Sequence, residues 1–130
     1  AEANAAGVTG QFVAWLSTAQ TDAIDRLTEG APWALRDGKI VFSSKDAVVV
    51  STPQVEIDVD ATGTPVVPNK SQVWTGTLAG GTRAPNRCAD WTSATTATGR
   101  VGVIGATNAT WTSNTDPTCN TPFHVLCFEK

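Results

Sequence analysis

Apolar and polar positions alternate in the first third of the chain in a way that predicts short strands and one short helix. Residues 12–16 are β-like, and because apolar side chains fall on both faces of this run, we expect both faces to be covered. Thr21 can cap a helix over residues 22–28, whose apolar stripe consists of Ala23, Ile24 and Leu27.

The segment from Trp33 to Phe42 contains the clearest local signal in the chain. Asp37 and Gly38 stand between two apolar runs, and this dipeptide supplies the positive φ angles of a tight primed turn. We therefore predict a β-hairpin. Residues 51–68 alternate strand-like pieces with prolines and a glycine, which indicates an extended connection within one domain.

Three acidic residues alternate with apolar ones inside that connection. Glu56, Asp58 and Asp60 would share one face of a strand, where they could form a cation site or an acid/base pair. The solvated face of a half-buried strand gives the same alternation, and no histidine or nucleophile motif lies near in sequence. We therefore favour a solvated face.

Three tryptophans in the second half open similar phrases. Trp74, Trp91 and Trp111 are each followed by threonine and small polar residues, a pattern that indicates strands around one core, separated by long polar loops. Trp91 and Trp111 could instead be stacking platforms for sugar rings. Because large aromatic residues are mostly buried, we favour the core for both.

Length and composition indicate one globular domain. The chain has 130 residues, of which 41% are hydrophobic and 16% charged, so it is large enough for a core and too apolar for disorder. The longest apolar runs, such as residues 47–50, are far too short to span a membrane. We interpret the chain as a fragment whose alanine-rich residues 1–6 end a helix that begins upstream.

The net charge of −3 is unevenly distributed along the chain. The second half is mildly basic, because Lys70, Arg83, Arg87 and Arg100 outnumber its acidic residues. Such an imbalance can attract anionic polymers, and it predicts a preference for anionic over neutral glycans at low salt, although ordinary solvated surface charge is the interpretation that we favour. Aromatic platforms are not interleaved with these arginines, so we expect no nucleic-acid partner.

The three cysteines are an odd number. Cys88 and Cys119 bracket a loop-rich stretch in which a disulfide would stabilise the fold by roughly 3–4 kcal/mol, and we predict that they pair. The partner of Cys127 is then expected upstream of the chain. A zinc site of these three cysteines and His124 is disfavoured, because there is no Cys-x-x-Cys knuckle. For His124 we favour a structural role, although a Ser-His-Asp triad stays open.

Several motifs together resemble a known family. These are Phe12–Ser17, the 33–42 hairpin, Val73–Thr77, Cys88–Trp91 and Leu126–Glu129. They are similar to bacterial exported domains of the endostatin-like, C-type-lectin-like type, over nearly the whole chain. The resemblance implies a single α+β domain over 1–130, with short helices, a small, mostly antiparallel sheet and a long loop region stapled by a disulfide. It also implies termini side by side, a Cys88–Cys119 bond, and a cysteine on an upstream helix that bonds to Cys127.

The calcium motif of that fold is not intact. Calcium-dependent lectins have Glu-Pro-Asn or Gln-Pro-Asp before the first loop cysteine and Trp-Asn-Asp further on, where this chain has Ala84–Asn86 and Trp111–Ser113. Too few oxygen ligands remain, so we expect no metal and no cofactor. Asn114 and Asp116 lie nearby and could supply oxygens for calcium, but a turn explains both residues.

The function that these features favour is non-enzymatic binding outside the cell. We expect a monomeric domain of a larger secreted, cell-surface or periplasmic protein that recognises a glycan or protein surface through loops 79–90 and 105–122. The candidate contacts are chosen by loop position and are Arg83, Asn86, Arg87, Asn108, Asn114 and Asp116. The alternatives are a purely structural module and a hydrolase-like enzyme, which would need a pocket joining His124 to a carboxylate and a hydroxyl.

Overall fold

The computed structural model describes residues 5–28, 32–67 and 71–130. Its strands, in chain order, are β1 (Phe12–Ala14), β2 (Trp33–Ala34), β3 (Ile40–Phe42), β4 (Gln72–Trp74), β5 (Val101–Val103), β6 (His124–Val125) and β7 (Cys127–Glu129). Between them lie a 3-10 helix (Ala23–Arg26), an α-helix, α1 (Lys45–Val50), a left-handed turn (Cys88–Trp91) and a second 3-10 helix (Ala109–Trp111).

The strands form three small sheets. Strand β1 pairs with β7, and β2 pairs with β3, both antiparallel. The third sheet has the order β5-β4-β6, in which β4 is antiparallel to β5 and parallel to β6. The prediction of a mixed fold with short helices, mostly antiparallel strands and one disulfide is therefore confirmed, but the described strands form three small sheets where the sequence predicts a single one.

An aromatic cluster forms the main core. Trp15 stacks on Trp111 with ring centroids 5.2 Å apart, and Phe42 contacts Trp111 at 5.0 Å. Phe128 lies between Trp15 and Trp33, at 5.4 and 5.6 Å. Residues from both ends of the chain thus share one core, and the predicted burial of Trp111 is confirmed.

The 33–42 hairpin is confirmed, but its turn differs from the prediction. Gly38 has a φ of +88°, whereas Asp37 lies outside the positive-φ region. The Gly38 N–H donates to the Leu35 carbonyl, and the Leu35 N–H donates to the Lys39 carbonyl, each at 2.9 Å. This is a longer hairpin loop that needs only one left-handed residue, which explains why a single glycine suffices.

Helix α1 is absent from the sequence prediction. Its run of valines has low helix propensity, yet Ser44 accepts a hydrogen bond from the Ala47 N–H and caps the first turn. Val48 is fully buried, whereas Val49 and Val50 face solvent. Packing of one valine and a good N-cap therefore outweigh the β preference of the segment. None of the helices in the described residues is long and apolar enough to cross a membrane.

Four further predictions need correction or narrowing. The predicted capping role of Thr21 is wrong, because the helix is a short 3-10 helix that begins after Asp22. Trp91 and Trp111 lie in a turn and a 3-10 helix, not in strands. The acidic segment 55–60 is not a strand, and its β pairing within the described residues is an isolated bridge from Val59 to Pro65. Residues 1–4 of the predicted helix end lie outside the described residues, and Ala5 is helical.

Candidate functional site

The disulfide between Cys88 and Cys119 ties the two long loops together. Its Cα atoms are 5.7 Å apart, and the bond links positions 31 residues apart in sequence. Isolated bridges from Arg87 to Gly99 and from Thr98 to Thr118 join the same segments. The predicted pairing is confirmed. It also removes two of the four ligands of the alternative zinc site, since a disulfide sulfur is no thiolate ligand.

The turn that begins at the first of these cysteines is left-handed. Four consecutive residues, Cys88, Ala89, Asp90 and Trp91, have φ angles of 53°, 52°, 56° and 66°. For residues with a Cβ atom this conformation costs roughly 1–2 kcal/mol each. The Trp91 N–H donates to the Arg87 carbonyl at 2.8 Å, so the turn is hydrogen-bonded. Contacts from neighbouring segments must hold it in place.

Those contacts come from residues 17–20 and from Gly76. The Asp90 carboxylate accepts a hydrogen bond from the Ala19 N–H at 2.7 Å, and the Trp91 indole N–H donates to the Ser17 carbonyl at 2.8 Å. Gly76 has a φ of +57°, and a methyl group there would lie 2.6 Å from Cζ2 of Trp91. The absence of a side chain at this glycine therefore makes room for the tryptophan ring.

Arg83 is held by Asp22 and Ala19. Its Nε lies 2.7 Å from Oδ1 of Asp22, and its backbone N–H donates to that oxygen at 3.1 Å. Its guanidinium also donates to the Ala19 carbonyl. The side chain remains 43% exposed, while that of Asp22 is 19% exposed. The guanidinium is thus fixed in direction and still accessible to a ligand.

Arg87 completes this group, whereas its neighbour Asn86 contacts Arg100. The Arg87 guanidinium lies 3.5 Å from the Asp90 carboxylate and donates to the Ala84 carbonyl. Asn86 is half-buried, and its carbonyl accepts a hydrogen bond from the Arg100 N–H at 2.9 Å. The structure therefore brings together two candidates from the first loop, Arg83 and Arg87, since Ala19 contacts both Arg83 and the Asp90 partner of Arg87. We call the group of Asp22, Arg83, Arg87, Asp90 and Trp91 the Trp91 surface.

Two candidates from the second loop gather around Arg100. Its guanidinium makes a two-point ion pair with Asp116, with Nε–Oδ1 and Nη2–Oδ2 distances of 2.7 and 2.9 Å. The backbone carbonyl of Asn114 lies 3.4 Å from Nη1 of the same arginine. The Asp116 oxygens that calcium would need are thus occupied by a cation of the chain itself. Among the described residues, no group of three or more His, Cys, Asp or Glu side chains could hold a metal ion.

Asn108 has a local role. It caps the second 3-10 helix, and its side-chain oxygen accepts hydrogen bonds from the Thr110 N–H at 3.0 Å and from the Thr110 hydroxyl at 2.6 Å. Within the described part of the chain, its side-chain hydrogen bonds go only to Thr110. The structure does not join this candidate to either of the two arginine groups.

Trp91 also belongs to a second aromatic group, outside the main core. Trp74 lies edge-on to Trp91 with ring centroids 6.0 Å apart, and Phe123 lies 5.1 Å from Trp74. All three rings are half-buried. A methyl group at Gly99 would lie 2.6 Å from Sγ of Cys88 and 2.9 Å from the Trp74 ring, so this group packs against the disulfide. The sequence favours a core position for Trp91, whereas the structure leaves this ring partly exposed.

A separate apolar groove of about 940 Å³ lies beside β6 and the 33–42 hairpin, and its lining includes His124, Asp60 and Thr62. It therefore contains the residue types that a hydrolase-like enzyme requires. However, the Thr62 hydroxyl donates to the Asp60 carboxylate at 2.6 Å. That hydrogen bond, with further bonds from backbone N–H groups, holds the pKa of Asp60 below its usual value. The hydroxyl is directed at the carboxylate, whereas a triad would direct it at the histidine.

Cys127 and the acidic residues of the connection are not part of the Trp91 surface. Cys127 is exposed on β7, opposite Ala14 of β1, and its expected upstream partner stays a prediction. Among the acidic residues of the connection, Asp58 makes an ion pair with Lys39 at 3.3 Å, and Glu56 is exposed. These side chains therefore act locally.

Sequence patterns do not point to Asp22, Asp90 or residues 17–20 as part of a site. Asp22 and Arg83 are 61 residues apart, and Ala19 and Asp90 are 71 residues apart. Pairs at such separations leave no local signal. Only the proximity of Asp90 to Arg87, three positions earlier, could have suggested an ion pair from the sequence.

Comparison with known proteins gives no match. No protein-family model matches the chain, and no curated protein is significantly similar to it.

Proposed function

We propose that this chain is an exported binding domain that recognises a glycan, without calcium and without covalent chemistry, through a surface at the first of its two stapled loops. The observation that carries the proposal is the preorganised Trp91 surface. There a disulfide, two ion pairs and a strained turn fix polar side chains and one aromatic ring at the protein surface. A glycan is the ligand class that combines apolar ring faces with many hydroxyl groups.

Preorganisation matters because a binding site loses affinity when it must order flexible side chains. Immobilising a long side chain costs about 0.5–1.5 kcal/mol. The Arg83 guanidinium is already held by Asp22 and by the Ala19 carbonyl, and Arg87 is held by Asp90 and by the Ala84 carbonyl. Much of this cost is therefore met by folding, before a ligand arrives.

The fold proposed for this domain is the C-type-lectin-like fold, of the endostatin-like type. Three features support it: the pairing of β1 with β7, the short helices, and the Cys88–Cys119 bond across the loop region. The exported location is part of the same proposal and is supported by that disulfide, since such bonds persist in oxidising compartments.

A glycan-array screen of the purified domain tests the function. Each array is run with calcium and again with a chelator, and we expect the same glycans to bind in both conditions. Arg83→Ala should weaken binding, whereas Lys39→Ala should not, because Lys39 makes its own ion pairs with Asp37 and Asp58 on the 33–42 hairpin and the connection that follows it.

Two results would contradict the proposal. Binding that is lost on chelation would mean that calcium is required after all. An array without any bound glycan would favour a protein ligand or a structural module, and the role of the Trp91 surface as a glycan site would be wrong.

A further inference from the structure

Charge on the loop surfaces is balanced pair by pair. Arg83 is paired with Asp22, Arg87 with Asp90, and Arg100 with Asp116. One of the aspartates, Asp22, comes from the first half of the chain. The basic excess of the second half is therefore cancelled locally at these three arginines. An anionic ligand approaching the arginines of the Trp91 surface would also meet the carboxylates that hold them.

Trp91 is the aromatic member of the Trp91 surface. Its indole N–H is bonded to the Ser17 carbonyl, and its ring lies over Gly76 and edge-on to Trp74. The ring therefore has a fixed orientation and is still partly exposed. An aromatic ring held in this way offers an apolar platform that loses little conformational entropy on binding.

We infer that Trp91 is the stacking platform for a neutral pyranose ring, with the Asp22–Arg83 and Asp90–Arg87 pairs as its hydrogen-bonding rim. The inference rests on the proposed glycan-binding function and specifies the class of glycan. Sugar hydroxyls both donate and accept hydrogen bonds, so a rim of paired carboxylates and guanidinium groups suits them. The expected preference for anionic glycans, which follows from the sequence charge alone, is thereby reversed.

The strained backbone supports a role at this place. Left-handed residues other than glycine persist where surrounding contacts hold them, and they concentrate at functional sites. None of the four left-handed residues belongs to the main aromatic core cluster, and Cys88 is buried at the disulfide. Their effect is to place Trp91 and Asp90 next to residues 17–20.

The test with the unaltered protein uses soluble probes and nuclear magnetic resonance. Maltotriose, cellotriose, mannotriose and the N-acetylglucosamine trimer are the neutral probes, while heparin and polygalacturonate are the anionic ones. The chain has five tryptophans, and its indole N–H resonances are assigned by single Trp→Phe variants. At least one neutral probe should shift the Trp91 resonance. Its Kd should change by less than about twofold between about 50 and about 300 mM NaCl.

Variants separate stacking from folding. Trp91→Ala should weaken binding of that probe by about tenfold or more, whereas Trp91→Phe, which keeps a ring, should retain most of the affinity. Trp74→Phe changes the neighbouring ring and keeps Trp91, so it is the matched control and should leave the affinity for that probe nearly unchanged. Asp22→Asn leaves Arg83 without its counter-charge and should increase heparin binding and its salt dependence.

Three results would overturn the inference. If heparin or polygalacturonate binds the unaltered protein best and weakens strongly with salt, the ligand is anionic. If a neutral probe binds while the Trp91 resonance and the Trp91→Ala affinity stay unchanged, glycan binding stands but occurs elsewhere. If no probe binds and the array is also empty, both the inference and the proposed function fail.

Discussion

Replacing Ala89 with glycine should stabilise the domain, although glycine usually weakens a fold. Ala89 has φ 52° and ψ 50° and is exposed, so its methyl group contributes strain and little packing. The hydrogen bonds of this residue are unaffected, because the Thr92 N–H and hydroxyl donate to its backbone carbonyl.

The magnitude follows from two opposing effects. Relief of the left-handed strain is worth roughly 1–2 kcal/mol. The greater freedom of glycine in the unfolded chain costs about 0.4–1 kcal/mol. We therefore expect the free energy of unfolding to rise by about 0.5–1 kcal/mol, which corresponds to a Tm increase of about 2–4 °C for a domain of this size.

Ala79→Gly is the matched control. Ala79 is also an exposed alanine in a turn, but its φ lies outside the positive region. Only the unfolded-state effect applies there, so this variant should lose about 0.4–1 kcal/mol. The assay is urea unfolding followed by circular dichroism with the disulfide intact. Equal destabilisation by both variants would refute the left-handed strain at Ala89.

Three further predictions concern the aromatic core, the disulfide, and Gly76, on which the Trp91 ring packs. Trp15→Phe should lower the free energy of unfolding by about 1 kcal/mol more than Trp111→Phe does. The reason is that the Trp15 indole N–H donates to the buried Thr112 hydroxyl at 2.7 Å, whereas the Trp111 indole N–H has no hydrogen-bond partner in the described residues. Equal losses in urea unfolding would contradict this prediction. Reduction of the disulfide should lower the free energy of unfolding by about 3–4 kcal/mol and speed amide exchange in the left-handed turn, as exchange measured by mass spectrometry can show. Gly76→Ala should lower the free energy of unfolding by about 2 kcal/mol or more and change the fluorescence of Trp91, because the added methyl group would lie 2.6 Å from the Trp91 ring. An unchanged Tm and fluorescence spectrum would mean that the ring does not pack on this glycine.

Local signals in the sequence predict part of this fold well. The hairpin follows from Asp37 and Gly38, and the disulfide follows from two cysteines that bracket a loop-rich stretch. In both cases the determining residues lie in the segment concerned. The sequence does not predict helix α1, because its valines favour strands. The signal for a helix there is a single residue, the N-cap Ser44.

The candidate site was predictable only in part. Loop position leads to Arg83 and Arg87 as candidate contacts, and their role in binding stays a prediction, whereas the partners that the structure gives them, Asp22 and the Ala19 carbonyl among them, have no signal in the sequence. Left-handed backbone is usually indicated by glycine, and the turn from Cys88 to Trp91 has none. Its conformation depends on contacts with residues 17–20, which only the folded chain brings near.

The pairing of β1 with β7 also has a consequence for how the domain folds. Phe12–Ala14 cannot find its partner strand until Cys127–Glu129 has been synthesised, and Phe128 completes the aromatic core. Contacts between such distant segments slow folding, because a long loop must close before they form. The core of this domain therefore stays incomplete until β7 has emerged from the ribosome, and the domain reaches its native state only after that point.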